Sequence, residues 1–228
     1  MTTTKLIRTI LADDHTIVRE GLRALLLADG RIDVVGEARN GREAVEMALE
    51  LKPDVVVMDI AMPLLNGLEA TKQLLAALPK TKVLILSAHS DDAYIDRVIA
   101  VGAAGFLIKQ TSAQILGKAI HEIASGNTFY SPQIEKRLQD HYNAPERAGG
   151  LLVKKATGLT SRELEVIQLV AEGQANKQVA AELKISIKTV EKHRQHLMDK
   201  LGIHDTAGLT RYAIGRGIIE ISVQVTIV

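Results

Sequence analysis

The chain has no cysteine among its 228 residues. That absence removes disulfides, thiolate zinc sites and cysteine nucleophiles together, and it fits a reducing compartment. Long apolar runs are missing too: none approaches the roughly 18 residues that a membrane span needs. Residues 1–5 lack the apolar core of a signal peptide, so the expected location is cytoplasmic, with no membrane partner. Neither charge sign dominates. The net charge is +1, with 14 basic and 16 acidic residues over 1–125 and nine and eight over 159–228. No part is broadly basic, so any nucleic-acid binding must come from local placement of charge. Hydrophobic residues make up 46% and charged residues 24%, enough for a real core in one large domain or two ordinary ones. No internal repeat or low-complexity tract is visible.

The most informative stretch is Val55-Val56-Val57-Met58-Asp59-Ile60-Ala61-Met62-Pro63. An apolar run that ends in a carboxylate reads as a strand buried on both faces, with Asp59 at the rim of a parallel sheet. Around it, residues 6–125 alternate between short apolar runs and helical patterns. Strands are predicted at Ile7–Ala12, Asp33–Ala38, Val55–Asp59, Val83–Ser87 and Gly105–Ile108, with helices near 16–28, 41–51, 67–78, 91–101 and 113–125. Asn66 with Glu69, and Thr111 with Gln114, have capping-box spacing. Five β–α pairs with short connections predict an α/β doubly wound, five-stranded parallel sheet covered by helices on both faces.

Ligand chemistry in such sheets gathers at the carboxyl ends of the strands. Here those ends carry Asp13 and Asp14, Asp59, Ser87 and Lys109. Taken singly, either early aspartate can cap a helix, Ser87 can be a strand-end hydroxyl and Lys109 a solvated charge. Converging carboxylates repel, and a hard divalent cation such as Mg²⁺ together with a lysine offsets that repulsion. An aspartate so surrounded is suited to phosphoryl transfer as the nucleophile.

The order of Asp13-Asp14, Asp59, Met62-Pro63, Asn66-Gly67, Ser87-Ala88 and Phe106 ahead of Lys109 resembles the receiver domain of two-component response regulators, over residues 6–125. The resemblance implies a flavodoxin- and CheY-like fold and phosphorylation of Asp59 by a sensor histidine kinase. It implies Mg²⁺ held by Asp13, Asp14, Asp59 and the Ala61 backbone carbonyl. Ser87, Phe106 and Lys109 would sense the phosphoryl group, with Phe106 rotating inward. Gln110 departs from the proline that many receivers carry after the lysine.

Periodicity weakens from Gly126 to Gly158, where Pro132, Pro145 and Gly149-Gly150 interrupt it; helical spacing returns only over Ile134 to Leu138. A second, all-α domain is then expected, with Thr160 and Glu163 as a capping box and helices over 161–172, 176–183, 187–201 and 206–215. Lys184-Ile185-Ser186 is a tight turn whose serine can cap the next helix. In that helix Ile187, Val190, Leu197 and Leu201 form the expected buried stripe, while Lys188, Glu191, Lys192 and Gln195 share one exposed face. Charge alone favours an ordinary solvated face. The run Leu159 to Val166, with Glu172-Gly173, Asn176-Lys177, Ile185-Ser186, Thr189-Val190, His193 and Lys200-Leu201-Gly202, resembles the LuxR/NarL-type helix-turn-helix domain over 159–215. That resemblance assigns the helix-turn-helix motif to Asn176 through Gln195 and base contacts to Glu191, Lys192 and Gln195. Phosphate contacts fall to Lys177, Lys188, Thr189, His193 and Arg194, and the last helix is the dimer contact. His193 and His196 lack zinc-type spacing, so no metal is expected there.

The full expectation is a NarL/FixJ-type response regulator, not an enzyme. It has a receiver (1–125), a linker with room for a short helix (126–158), a four-helix DNA-binding domain (159–217) and an apolar tail (218–228). Promoter DNA, the kinase, RNA polymerase and a second copy formed on activation are its expected partners. Two rivals remain: a Mg²⁺-dependent phosphohydrolase, disfavoured because Ala61 stands where such enzymes carry a second aspartate, and a receiver-type dimerisation module that ignores phosphorylation.

Overall fold

In the computed structural model, residues 5–88, 92–110, 113–130, 134–136 and 158–220 are described. The chain divides into two compact units, Met1–Lys154 and Lys155–Val228.

The first unit holds strands β1 (Ile7–Ala12), β2 (Ile32–Ala38), β3 (Val55–Asp59), β4 (Lys82–Ser87) and β5 (Gly105–Ile108). They form one sheet in the order β2-β1-β3-β4-β5, with every pair parallel. Between and after them run α1 (Thr16–Leu27), α2 (Gly41–Leu51), α3 (Gly67–Ala77), α4 (Asp92–Ala100) and α5 (Ala113–Ala124). The expected doubly wound α/β fold is present. The strand order reverses direction at β1 and β3, and that is where the crevice of such a sheet opens.

Alternation along each strand separates two cores. Ile10, Val56, Met58, Val83, Ile85 and Phe106 face the side covered by Ala44, Ala48, Leu68, Leu74, Ile95 and Val98 of α2, α3 and α4. Leu11, Val55, Val57, Leu84, Leu86 and Leu107 face Leu26 of α1 and Leu116, Ala119, Ile120 and Ile123 of α5. Both faces of β3 are therefore filled, and all five of its residues are buried. Asn66 caps α3 by accepting from the Glu69 backbone N–H at 3.0 Å. Thr111 lies outside the described residues.

The chain beyond α5 differs from the expected linker. The Phe106 N–H donates to the Phe129 carbonyl at 3.0 Å, and the Phe129 N–H donates to the Ala104 carbonyl at 3.0 Å. The Tyr130 hydroxyl donates to the Ala103 carbonyl at 2.7 Å, and Ile134 is buried in the same core as Phe106. This segment thus satisfies part of the open edge of β5, which an isolated strand cannot do for itself. Within 126–158, residues 131–133 and 137–157 lie outside the described residues.

In the second unit the helices are α6 (Ser161–Ala171), α7 (Asn176–Glu182), α8 (Ile187–Leu201) and α9 (Thr206–Gly215). Their core joins Val166, Ile167, Leu169 and Val170 to Val179, Val190, Leu197, Leu209 and Ala213, with Ile218 buried beside them. Thr160 and Glu163 make the expected capping box, and Ser186 caps α8 by accepting from the Thr189 N–H. Gly202 ends α8 at φ 64°, a left-handed position that suits glycine. Ile187 corrects the expected buried stripe, because it is 45% exposed. As the first residue of α8 it stands one turn ahead of Glu191, on the outward side. Residues 221–228, most of the expected tail, lie outside the described residues.

Candidate functional sites

Three carboxylates meet at the crevice because β1 and β3 are neighbours that end at the same height: Ala12 pairs with Met58. One ligand atom each from Asp13, Asp14, His15 and Asp59 lies within 4.8 Å of the others. Asp13 and Asp59 are buried, whereas the Asp14 side chain is 33% exposed. Lys109 sits between the buried pair, its Nζ 2.7 Å from Asp13 Oδ2 and 2.9 Å from Asp59 Oδ2. Asp59 Oδ1 accepts from the Ile60 N–H at 2.8 Å. The Lys109 N–H donates to the Ser87 carbonyl at 2.8 Å, which ties the lysine to the end of β4.

Gly67 holds the loop after Asp59 close to the strand. Its N–H donates to the Ile60 carbonyl, and a Cβ added there would collide with the Asp59 carbonyl oxygen. Only glycine permits that approach.

Burial pushes the Asp59 carboxyl up to about 6 from its usual 3.8; Lys109 pulls it down, while Asp13 and Asp14 push it further up. Burial alone would lower the Lys109 ammonium, but Asp59 and Asp13 more than offset this and hold it above its ordinary value. Asp13 Oδ2 is buried and has no aligned hydrogen-bond donor, so its contact with Lys109 is an ion pair of oblique geometry. Excess negative charge, oxygen donors and an open lone pair on a buried carboxylate all fit a divalent cation.

Every carboxylate and the lysine are marked in the sequence, but not His15, whose Nδ1 lies 2.8 Å from Asp14 Oδ1 and 3.3 Å from Asp13 Oδ1. Its place directly after the aspartate pair was the available signal. Ser87 is buried at the end of β4, and Ala61 is half-buried in the loop after Asp59. Phe106 is 1% exposed, with its ring enclosed by the α4-side core.

On the second unit, Lys188, Glu191, Lys192 and Gln195 are exposed together on α8, with Lys177 exposed on α7. Gln195 Nε2 donates to Asp199 at 2.8 Å. The Thr189 hydroxyl lies 2.8 Å from Ser186 Oγ. Two residues expected to contact phosphate are set less openly: Arg194 is bonded within the domain and His193 is half-buried. Arg194 Nη1 donates to Asn176 Oδ1 at 2.7 Å and Nη2 to Thr206 Oγ1 at 3.2 Å, so this side chain ties α8 to the starts of α7 and α9. His193 is half-buried; burial first and then the Arg162 charge hold its imidazole below the usual value. At the far end of α8, Lys200 Nζ reaches both oxygens of Glu163 at 2.7 and 2.8 Å. Burial pushes the Glu163 carboxyl up, and Lys200 with Thr160 more than offsets it.

Family models agree with this division. The response regulator receiver domain matches residues 9–121, and the luxR family of bacterial regulatory proteins matches residues 157–213. The transcriptional regulatory protein LnrK of Bacillus subtilis is 36% identical over 217 residues, covering 93% of this chain and 99% of LnrK. The chain belongs to the NarL/FixJ-type two-component response regulators. It pairs a receiver domain with a LuxR-type DNA-binding helix-turn-helix domain. Among solved structures, a LuxR-family response regulator from an Aurantimonas species is 33% identical, with a TM-score of 0.57 over 60% of this chain and 99% of that one. RcsB of Salmonella typhimurium is 26% identical, with a TM-score of 0.54 over 91% of this chain and 98% of RcsB. These relatives are regulators, which leaves the phosphohydrolase alternative without support. Among the described residues, no helix is long and apolar enough to cross a membrane.

Proposed function

We propose that this response regulator accepts a phosphoryl group on Asp59 from the phosphohistidine of a sensor kinase, and that the modified receiver controls promoter binding by α8. The observation that carries the reading is Asp59 itself: a buried carboxylate with Lys109 2.9 Å away and two further aspartates beside it. One Asp59 oxygen attacks phosphorus, the P–N bond to the donor imidazole breaks, and an aspartyl phosphate forms. Lys109 offsets the charge on the transferring oxygens, and Ser87 at the end of β4 turns its hydroxyl to them. Asp13, Asp14, Asp59 and the Ala61 carbonyl would hold Mg²⁺, which supplies charge neutralisation at the phosphoryl oxygens. His15 orients Asp14 from the rim.

Glu191, Lys192 and Gln195 face base edges in a major groove, and Lys177, Lys188 and Thr189 contact phosphates. Exposed Ile187 adds an apolar group suited to a thymine methyl. His193 and Arg194 serve this face from within the domain, since His193 is half-buried and the Arg194 guanidinium is already bonded to Asn176 and Thr206. RcsB has been solved in complex with DNA, which supports the same use of this domain here. Phosphorylation favours a homodimer, whose two α8 helices read half-sites one helical turn apart. The dimer acts in the cytoplasm, beside RNA polymerase. The domains are 1–125, its extension through the β5 edge segment, a connector reaching 158, and 159–217.

Intact mass after incubation with Mg²⁺ and acetyl phosphate tests the reading. One added phosphoryl group on the wild type and none on Asp59→Asn is the expected result. Modification of both proteins moves the acceptor elsewhere, and modification of neither leaves only the DNA-binding half of the proposal.

A further inference from the structure

We infer that Arg19, which takes no direct part in phosphoryl transfer, is a positioning residue for the acidic cluster: its guanidinium fixes the β1–α1 turn so that Asp13 and Asp14 stay directed at a bound cation. The inference rests on the proposed reading of that cluster as a Mg²⁺ and phosphoryl site.

Arg19 lies near the start of α1 and is 5% exposed. A buried guanidinium is costly unless its donors are satisfied. Here its short bond runs from Nη1 to the Asp13 backbone carbonyl at 2.7 Å, with Nη2 3.4 Å from Thr16 Oγ1. Its contact with Glu37 on β2 is longer, 3.7 Å from Nε, and that nitrogen has no hydrogen-bond partner. Glu37 instead makes its short contact with Arg23 at 2.7 Å. A side chain that only anchored α1 to β2 would have closed on Glu37. This one closes on the backbone of a cluster residue.

The consequence follows from the planarity of the peptide unit. Gripping the Asp13 carbonyl fixes the plane of the bond between Asp13 and Asp14, hence ψ of the first and φ of the second. Asp13 has other restraints: its N–H donates to the Ala38 carbonyl at 3.1 Å, and its Oδ1 accepts from the His15 N–H at 2.9 Å. Asp14 is the more exposed carboxylate, and the side chain it pairs with, His15, is itself exposed. The Arg19 bond therefore governs mainly where the Asp14 carboxylate points.

The experiment is Mg²⁺ titration of the full chain by calorimetry for wild type, Arg19→Met, Arg19→Lys and Glu37→Gln, with thermal unfolding of each metal-free protein. Arg19→Met is expected to weaken Mg²⁺ binding about tenfold or more, the usual effect of losing a group that orients a ligand. Arg19→Lys keeps one donor and binds between Arg19→Met and wild type. Glu37→Gln leaves the Asp13 bond intact and binds as wild type does. Should Arg19→Met not fold, weaker binding by Arg19→Lys at an unchanged melting temperature supports the inference equally. Wild-type affinity in the Arg19 variants, with only a lowered melting temperature, reduces Arg19 to a structural tie and overturns the inference. No Mg²⁺ binding by the wild type overturns the cation reading of the cluster, and this inference with it.

Discussion

The two sites of this chain are built in opposite ways. In the receiver, charged groups from three strand ends are brought together and largely withdrawn from water: buried Asp13 from β1 and Asp59 from β3, with half-buried Lys109 from β5. On α8, the groups come from one continuous helix and stay exposed, and what is buried behind them is ordinary core. The first arrangement is electrostatically expensive and must be held by its surroundings. The second costs almost nothing to display, because water solvates it until DNA arrives. Receiver variants should therefore alter chemistry and stability together, whereas variants of the α8 face should alter binding alone.

The largest effect is expected at Gly67. Gly67→Ala forces the Asp59 carbonyl away, so phosphoryl incorporation from acetyl phosphate should slow by about 100-fold, the usual penalty for misplacing a reacting group by roughly 1 Å. Timed intact-mass measurements check it, and DNA binding by the unphosphorylated protein should not change. An undiminished rate would mean that the loop after Asp59 can yield without moving the carboxylate.

Ile134→Ala tests whether the segment after α5 belongs to the receiver core. Removing this buried side chain should cost about 2–5 kcal/mol of receiver stability. Calorimetry or hydrogen exchange should locate the loss in the first unit, with α6–α9 protected as before. A change under about 0.5 kcal/mol, as surface substitutions give, would return Ile134 to a solvated linker.

Asp59→Asn sharpens the electrostatic half of the comparison. The folded chain holds the Asp59 proton up to about 6, against 3.8 ordinarily, so between those values it binds more protons than the unfolded chain. Stability from this group is thus full below 3.8 and is lost as pH rises through about 6. The metal-free Asn variant should exceed wild type by roughly 2–3 kcal/mol at neutral pH, with the gap closing on acidification. Saturating Mg²⁺ should narrow the gap from the other side by stabilising wild type.

The smallest stability effects belong to α8. Lys192→Ala should leave unfolding unchanged and weaken operator binding by about 1–3 kcal/mol. Arg194→Ala should do the reverse of a simple phosphate contact, lowering stability by about 1 kcal/mol or more through its lost bonds to Asn176 and Thr206. Salt-dependent binding measurements separate the two, since only a lost phosphate contact reduces the salt slope by about one.

The acidic cluster was legible because burial leaves a mark on sequence: an aspartate at the end of an apolar run conflicts with its surroundings, and such conflicts concentrate at functional sites. The α8 face leaves no such mark. Lysine, glutamate and glutamine at helical spacing are what any solvated helix displays, so only the wider motif singled them out. Side-chain partners were least legible. Nothing in the spacing of Arg194, Asn176 and Thr206 says that they bond, and nothing in Ile134 says that it is buried in the receiver core.

By itself, then, the amino-acid order determined the alternation of strands and helices, the two-unit plan and which residues stand at strand ends. These depend on local periodicity and on where polar residues interrupt it. Tertiary structure alone decided which strand ends meet and which charges pair. It also decided that Arg19 grips the Asp13 carbonyl and that Phe106 is already enclosed. Those outcomes depend on the strand order β2-β1-β3-β4-β5, which brings residues nearly a hundred positions apart to within 3 Å, as Lys109 and Asp13 are at 2.7 Å.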